Sequence, residues 1–71
     1  MPSLVLQVPT NAPDSEKPWV IDQWCKDNLA GANECSVVID IPADAFHCVF
    51  RFANEADAEK CAAQWGKFVK A

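Results

Sequence analysis

Alternating apolar and polar positions in the second half of the chain predict a strand. Aromatic and thiol side chains occupy every second position there, at Phe46, Cys48, Phe50 and Phe52. His47, Val49 and Arg51 lie between them. Because side chains alternate across a strand, this spacing puts three aromatic rings on one face. We therefore expect that face to lie in the core of the fold.

A helix is predicted directly after this strand. Asn54 can cap it by accepting from the amide of Asp57, whose carboxylate can reach back toward the cap. Acids in the first turns complement the positive helix end, namely Glu55, Asp57 and Glu59. Apolar positions then recur at helical spacing: Ala58, Cys61, Ala62, Trp65, Phe68 and Val69.

The first half of the chain predicts a strand, a loop and a second helix. Alternation from Ser3 to Val8 predicts the strand, and the segment 9–18, with its three prolines, predicts an irregular loop that is a candidate contact element. Ser15 is the expected helix cap, with Pro18 in the first turn. The helix should run to about Ala30, where Gly31 can adopt the left-handed conformation that ends helices.

Residues 35–41, CSVVIDI, form the remaining predicted strand, which Pro42 stops. The turn after it brings the next strand back antiparallel. The order strand, helix, strand, strand, helix predicts one α+β domain over residues 1–71, with a three-stranded antiparallel sheet ordered 1-3-2 and both helices on one face. This arrangement resembles a ferredoxin-like split βαβ unit that lacks its last strand.

The opposite face of this sheet is the candidate binding surface. Val5, Val49 and Val38 are expected to form a row across the three strands. Its border is expected to consist of His47, Arg51 and Asp40. An apolar centre with a polar rim is typical of protein-binding patches. The alternative is an ordinary sheet face that is half exposed to water. Pairing of a sheet edge with another copy is a second route to a dimer.

The charge of the chain bears on its partners. Ten acids against six bases give a net charge of −4, and seven of the acids precede residue 54. This balance disfavours direct nucleic-acid binding, which needs a basic face. It permits a host protein or complex with a basic surface, contacted by an acidic set: Asp14, Glu16, Asp22 and Asp27. The alternative is that these acids are simply solvated.

The four cysteines are spaced 10, 13 and 13 residues apart, so they contain no CxxC pair. This spacing, with Cys48 and Cys61 on predicted core faces, favours buried thiols over a disulfide or a zinc site. The N-terminus MPSLVLQVPT lacks a basic segment and has too short an apolar run for a signal peptide or membrane span. We expect a cytoplasmic protein with no membrane partner.

Catalytic chemistry is not expected from this sequence. His47 is the only histidine, and its neighbour Cys48 should point to the other face of the strand. Two glycines, Gly31 and Gly66, cannot build a phosphate-binding loop. Helix capping accounts for the acids at 55, 57 and 59 without a metal. The sequence therefore predicts no enzyme, no cofactor and no metal site.

Residues 50–66, FRFANEADAEKCAAQWG, carry a family resemblance. They resemble small proteins of phages and prophages that share F-x-F, a polar turn, D-A and a closing W-G. The matched positions are Phe50, Phe52, Asp57, Ala58, Trp65 and Gly66, whereas Cys61 departs from the pattern because phenylalanine is more usual there. The resemblance implies a viral protein that inhibits a host defence complex, such as an anti-CRISPR, by blocking a nucleic-acid-binding or assembly surface. The alternative is an accessory protein that dimerises through its open sheet face.

Overall fold

The computed structural model describes residues 2–70. Its helices and strands, in chain order, are β1 (Ser3–Pro9), α1 (Pro18–Asn28), β2 (Asn33–Asp40), β3 (Ala45–Phe52) and α2 (Glu55–Trp65). Two short 3-10 helices accompany them, at Asp14–Glu16 and Gly66–Phe68.

The three strands form one sheet ordered β1-β3-β2. β3 lies at the centre and pairs antiparallel with both neighbours. A four-residue turn joins β2 to β3, closed by the Asp44 amide, which donates to the Ile41 carbonyl at 3.1 Å. Asp44 takes a left-handed backbone with φ 51°. The predicted α+β fold and strand order are confirmed.

One face of the sheet forms the core with both helices. Its buried side chains are Leu6, Val8, Cys48, Phe50 and Phe52. α1 contributes Ile21 and Cys25, and α2 contributes Ala58, Cys61 and Trp65. Each buried aromatic removes about 150–250 Å² from water, which matters in a chain this short. Both helices therefore lie on the face that the alternation of β3 predicts to be buried.

The predicted start of α2 is confirmed. The Asp57 amide donates to the Asn54 side-chain oxygen at 2.9 Å, and the Asp57 carboxylate reaches back and accepts from the Asn54 side-chain nitrogen at 3.4 Å. The same carboxylate also accepts from the Gly31 amide at 3.0 Å, which the sequence did not predict. Asp57 is buried. Its carboxylate thus joins the loop after α1 to the first turn of α2.

Both ends of α1 differ from the prediction. Ser15 is not the cap, because it lies within the first 3-10 helix and Lys17 is the N-cap residue. Lys17 is extended, with ψ 154°, as the residue before Pro18 is required to be. At the other end the helix stops at Asn28, and Leu29 is extended. Among the described residues no glycine has positive φ, so the prediction for Gly31 is wrong.

The end of the chain also departs from the predicted apolar stripe. α2 ends at Trp65, and Gly66–Phe68 tighten into a 3-10 helix. Val69 therefore leaves the helix and forms a β-bridge with Leu6. The next amide, of Lys70, donates to the Val5 carbonyl at 2.9 Å. The chain's own terminal segment thus covers part of the outer edge of β1, one of the two edges predicted to be open.

Candidate protein-binding surface

The open face of the sheet consists of the strand residues that alternate with the core positions. Strand register places its side chains in rows across the three strands. The rows are Ser3, Arg51 and Glu34; Val5, Val49 and Ser36; Gln7, His47 and Val38. Because α1 and α2 both pack on the other face, neither helix covers these rows. The predicted contact residues of the sheet therefore do share one face.

The predicted row of three valines is wrong in its register. Ser36, not Val38, lies opposite Val49, and Val38 lies opposite His47. Val38 is thus a diagonal neighbour of Val49, and the apolar surface runs obliquely across the sheet. The turn at 41–44 fixes this register, because it pairs Asp40 with Ala45. Two valines are half-buried, whereas Val38 is 61% exposed.

Polar side chains border this oblique apolar surface. His47 is half-buried between Gln7 and Val38 on the neighbouring strands. Arg51 is exposed, and its cross-strand neighbours are Ser3 and Glu34. A cation beside an acid on adjacent strands is a favourable arrangement for a solvated rim. The rim that the sequence predicted at His47 and Arg51 is therefore placed as expected.

A second exposed apolar group lies along β2, and alternation did not predict it. Val37 is 45% exposed, Ile39 61% and Ile41, just past the strand, 82%. Val37 and Ile39 point to the helix side, but α1 reaches only the start of β2, where the Asn33 side chain donates to Asp22 at 2.8 Å. The unbroken run VVI in the sequence was the available signal, because apolar residues on both faces are unusual in an exposed edge strand.

Trp19 lies near this group on the helix side. Its ring is 63% exposed and meets Phe46 edge-on, with ring centroids 6.3 Å apart. Phe46 pairs in register with Ile39. The large apolar side chains exposed among residues 2–70 are Trp19, the three of the β2 group, and Val38 on the open face. Four of these five therefore lie on β2 or directly after it.

The four acids of the alternative contact set are less available to a partner than the sequence indicates. Lys67 forms an ion pair with Glu16, and Lys26 forms one with Asp22 at 2.7 Å. Asp27 accepts from the Gln23 side chain at 2.9 Å. Asp14 lies exposed in the first 3-10 helix. Because two of the four carboxylates are paired with lysines, this set presents less negative charge to a partner than the count of acids implies.

The cysteine thiols have raised rather than lowered pKa values at three positions. Burial raises the pKa of Cys48 to about 12 and that of Cys35, with help from the nearby Asp22 carboxylate, to about 11. Cys25 donates a hydrogen bond to Cys61 at 4.0 Å, and that bond together with burial raises the pKa of the Cys25 thiol. All four cysteines are free. A thiol that stays protonated is a weak nucleophile and a poor metal ligand.

Other kinds of site are absent from the described part of the chain. Residues 2–70 contain no pocket, and within them no three His, Cys, Asp or Glu side chains are grouped so that they could hold a metal ion. His47 and Cys48 lie on opposite faces of β3, as predicted. No helix in this range has the length and apolar character needed to cross a membrane.

Comparisons with protein-family models, with curated proteins and with solved structures gave no match to this chain. The resemblance of residues 50–66 to phage proteins therefore stays a prediction from the sequence. In the structure they have structural roles: Phe50 and Phe52 are core side chains, and Asp57 binds the Gly31 amide. Because these three side chains hold the strand and helix together, they are not available to a partner. The candidate contact surface is the open face.

Proposed function

We propose that this chain is a protein-binding module without catalytic activity, and that its contact surface is the open sheet face. The observation that supports it is the oblique group of Val5, Val49 and Val38 on a face that neither helix covers. His47 and Arg51 supply a polar rim beside this group. An apolar centre within a polar border is the composition found at the centre of protein interfaces.

Short side chains make this face suitable for another protein's surface. Val5, Val49 and Ser36 stand side by side on adjacent strands, so a partner can approach the centre of the sheet closely. Full burial of one valine is worth about 1.5–3 kcal/mol. Loss of one such contact at the centre of the face therefore corresponds to a roughly 10–100-fold weaker affinity.

The absence of catalytic activity is proposed from the chemistry of the candidate groups. A nucleophilic cysteine needs a lowered pKa or a base beside it. The thiols of Cys25, Cys35 and Cys48 have raised pKa values instead, and Cys61, whose pKa the hydrogen bond from Cys25 lowers, is fully buried. The one histidine of the chain points to the face of β3 opposite Cys48. These two observations support a role through binding.

We propose further that the partner is a protein of a host defence complex, as in an anti-CRISPR inhibitor. Support comes from the phage-like pattern of residues 50–66 and from the net charge of −4, which favours a basic partner surface. Because Glu16 and Asp22 are paired with lysines, we expect the apolar face rather than the acids to provide most of the affinity. Binding should then weaken only modestly with salt, since screening acts on charges.

Affinity capture from lysates of bacteria that carry CRISPR effectors tests this proposal. The wild-type chain, Val49→Lys and the control Ala63→Lys are immobilised, and bound proteins are identified at low and high salt. Ala63 is exposed on α2, so the control adds the same charge away from the face. We expect one protein that Ala63→Lys retains and Val49→Lys loses. Equal capture by both variants contradicts the open face, and loss of capture at high salt points to the acidic set instead.

A further inference from the structure

The two edges of the sheet are not equivalent. The outer edge of β1 is partly covered by the chain itself, through the Leu6–Val69 bridge and the hydrogen bond from Lys70 to Val5. Within residues 2–70, no strand pairs with the outer edge of β2. We infer that β2 pairs antiparallel with β2 of a second copy of this chain, about a two-fold axis at Val38, to give a six-stranded sheet. This pairing does not depend on the proposed function.

β2 has few of the features that keep edge strands apart. Soluble proteins protect such edges with proline, charged side chains and lysine above all, bulges or very short strands. β2 is eight residues long, its register with β3 is unbroken, it contains neither lysine nor proline, and its two charged residues, Glu34 and Asp40, lie near its ends. Its exposed side chains include Val37, Val38 and Ile39. A strand of this length and composition is suited to pairing rather than to exposure.

Geometry limits where the two-fold axis can lie. An axis normal to the sheet keeps each side chain on its own face, so it must pass through a residue position. At Val38, the axis places Val37 opposite Ile39 of the second copy, and Ser36 opposite Asp40. The first pair buries apolar surface on the helix side, and the second lets a hydroxyl donate to a carboxylate on the open face.

Neighbouring axis positions are less favourable. An axis at Val37 places Glu34 opposite Asp40, and like charges directly opposite one another destabilise a sheet. An axis at Ile39 instead places Val38 opposite Asp40. The Val38 position avoids both pairs, and it also brings Ile41 opposite Cys35 of the second copy. At the Val38 position, therefore, no like charges face each other and the apolar side chains of the two copies pair with one another.

The pairing would also enlarge the open face. Because the axis is normal to the sheet, all four helices lie on one side and the two open faces join on the other. Val38 of each copy then lies at the centre of a surface six strands wide. That this wider surface binds a partner rests on the proposed function, whereas the pairing itself does not.

The test is the mass of the chain in solution, measured by sedimentation equilibrium over a range of concentrations. We expect the wild type to reach twice the 7.8 kDa mass of one chain. Val37→Lys should be monomeric, because each dimer would hold two lysines against Ile39. Adding Ile39→Glu to Val37→Lys should restore the dimer, since opposite charges then face each other twice. Ala63→Lys should remain dimeric.

Several outcomes would overturn the inference. A wild-type chain that is monomeric at millimolar concentration excludes the pairing, and a folded double variant that stays monomeric excludes the Val38 register. Both substituted positions are exposed, and circular dichroism verifies the fold of each variant. In the wild type alone, β2 amides should exchange more slowly as concentration rises, while the exchange of β1 amides stays unchanged. If the two strands show no such difference, the pairing is excluded as well.

The two proposals fail separately. Val49→Lys should lose the captured partner and stay dimeric, because Val49 lies on the central strand, away from the axis. A chain that is monomeric yet still captures a protein through Val49 refutes the pairing and leaves the proposed function intact. A chain that dimerises, and whose capture of a partner is unaffected by Val49→Lys, refutes the proposed function and leaves the pairing intact.

Discussion

Gly31 and Gly66 have different structural roles, although both lie at the end of a helix. Gly31 has no positive φ, so backbone conformation does not require glycine there. A Cβ atom at this position would lie 2.6 Å from the Cβ of Ala53 and 3.0 Å from an Asp57 carboxylate oxygen. At Gly66 the backbone is helical, and a Cβ would meet nothing within 4 Å. Close packing, not conformation, explains Gly31.

Substituting each glycine by alanine tests this difference. Gly31→Ala should lower the free energy of unfolding by about 1–3 kcal/mol, because the added methyl group forces the loop away from α2. Gly66→Ala should raise it by about 0.4–1 kcal/mol, since alanine restricts the unfolded chain and fits the helical backbone. Urea unfolding followed by tryptophan fluorescence measures both. Equal effects of the two substitutions would refute the packing argument.

The buried Cys48 thiol makes stability depend on alkaline pH. Burial raises its pKa from 9.0 to about 12 in the folded state. The folded chain therefore keeps this proton where the unfolded chain loses it, so the contribution is complete below pH 9 and is lost as pH rises toward 12. Urea unfolding across this range should show falling stability, with a shallower fall in Cys48→Ala. An identical pH profile for that variant would show that Cys48 does not contribute.

At the level of elements, the sequence predicted the strands and their order but not their register. Alternation of Phe46 to Phe52 and the turn after Ile41 are local signals, and both are confirmed. The register of β2 against β3 is set by the turn, which pairs Asp40 with Ala45 and so puts Ser36 opposite Val49. The sequence did not predict this pairing, and it also placed Asn33 and Glu34 in a loop because they are polar.

Helix ends were predicted poorly for one local and one tertiary reason. Ser15 has the chemistry of a cap, but Pro18 disfavours a helical Lys17 and so α1 starts later, an effect that the sequence does show. Val69 fits the apolar period of α2, yet it pairs with Leu6 on β1, a contact that the local pattern does not show. The run VVI signals apolar residues on both faces of β2, but the exposure of Val37 and Ile39 depends on the path of α1 over the sheet.

The terminal segment protects the outer edge of β1, and this role can be tested at Lys70. Lys70→Pro removes the amide that donates to Val5, whereas Lys70→Ala keeps it. We expect the proline variant to lose about 0.5–1.5 kcal/mol of unfolding free energy and to expose β1. Urea unfolding and amide exchange at Val5 to Gln7 measure these effects. Similar losses in both variants would show that the lysine side chain matters instead.

At the scale of the whole molecule, residues 2–70 form a one-sided arrangement. Both α-helices pack on one face of the sheet, where Val37 and Ile39 stay exposed, and this part of the chain has no further α-helix or strand to cover the other face. The aromatic side chains are concentrated in the covered face, which leaves valine, histidine and arginine on the open one. The proposed function depends on this asymmetry between the faces.

Site-specific photocrosslinking tests the open-face proposal most directly. A benzophenone amino acid is placed at Val49 on the open face or at Ala63 on the exposed side of α2, and each chain is irradiated with the captured partner. The proposal predicts a covalent adduct with the partner from position 49 and none from position 63. An adduct from position 63 with none from position 49 would contradict it, because the partner would then bind the helical side.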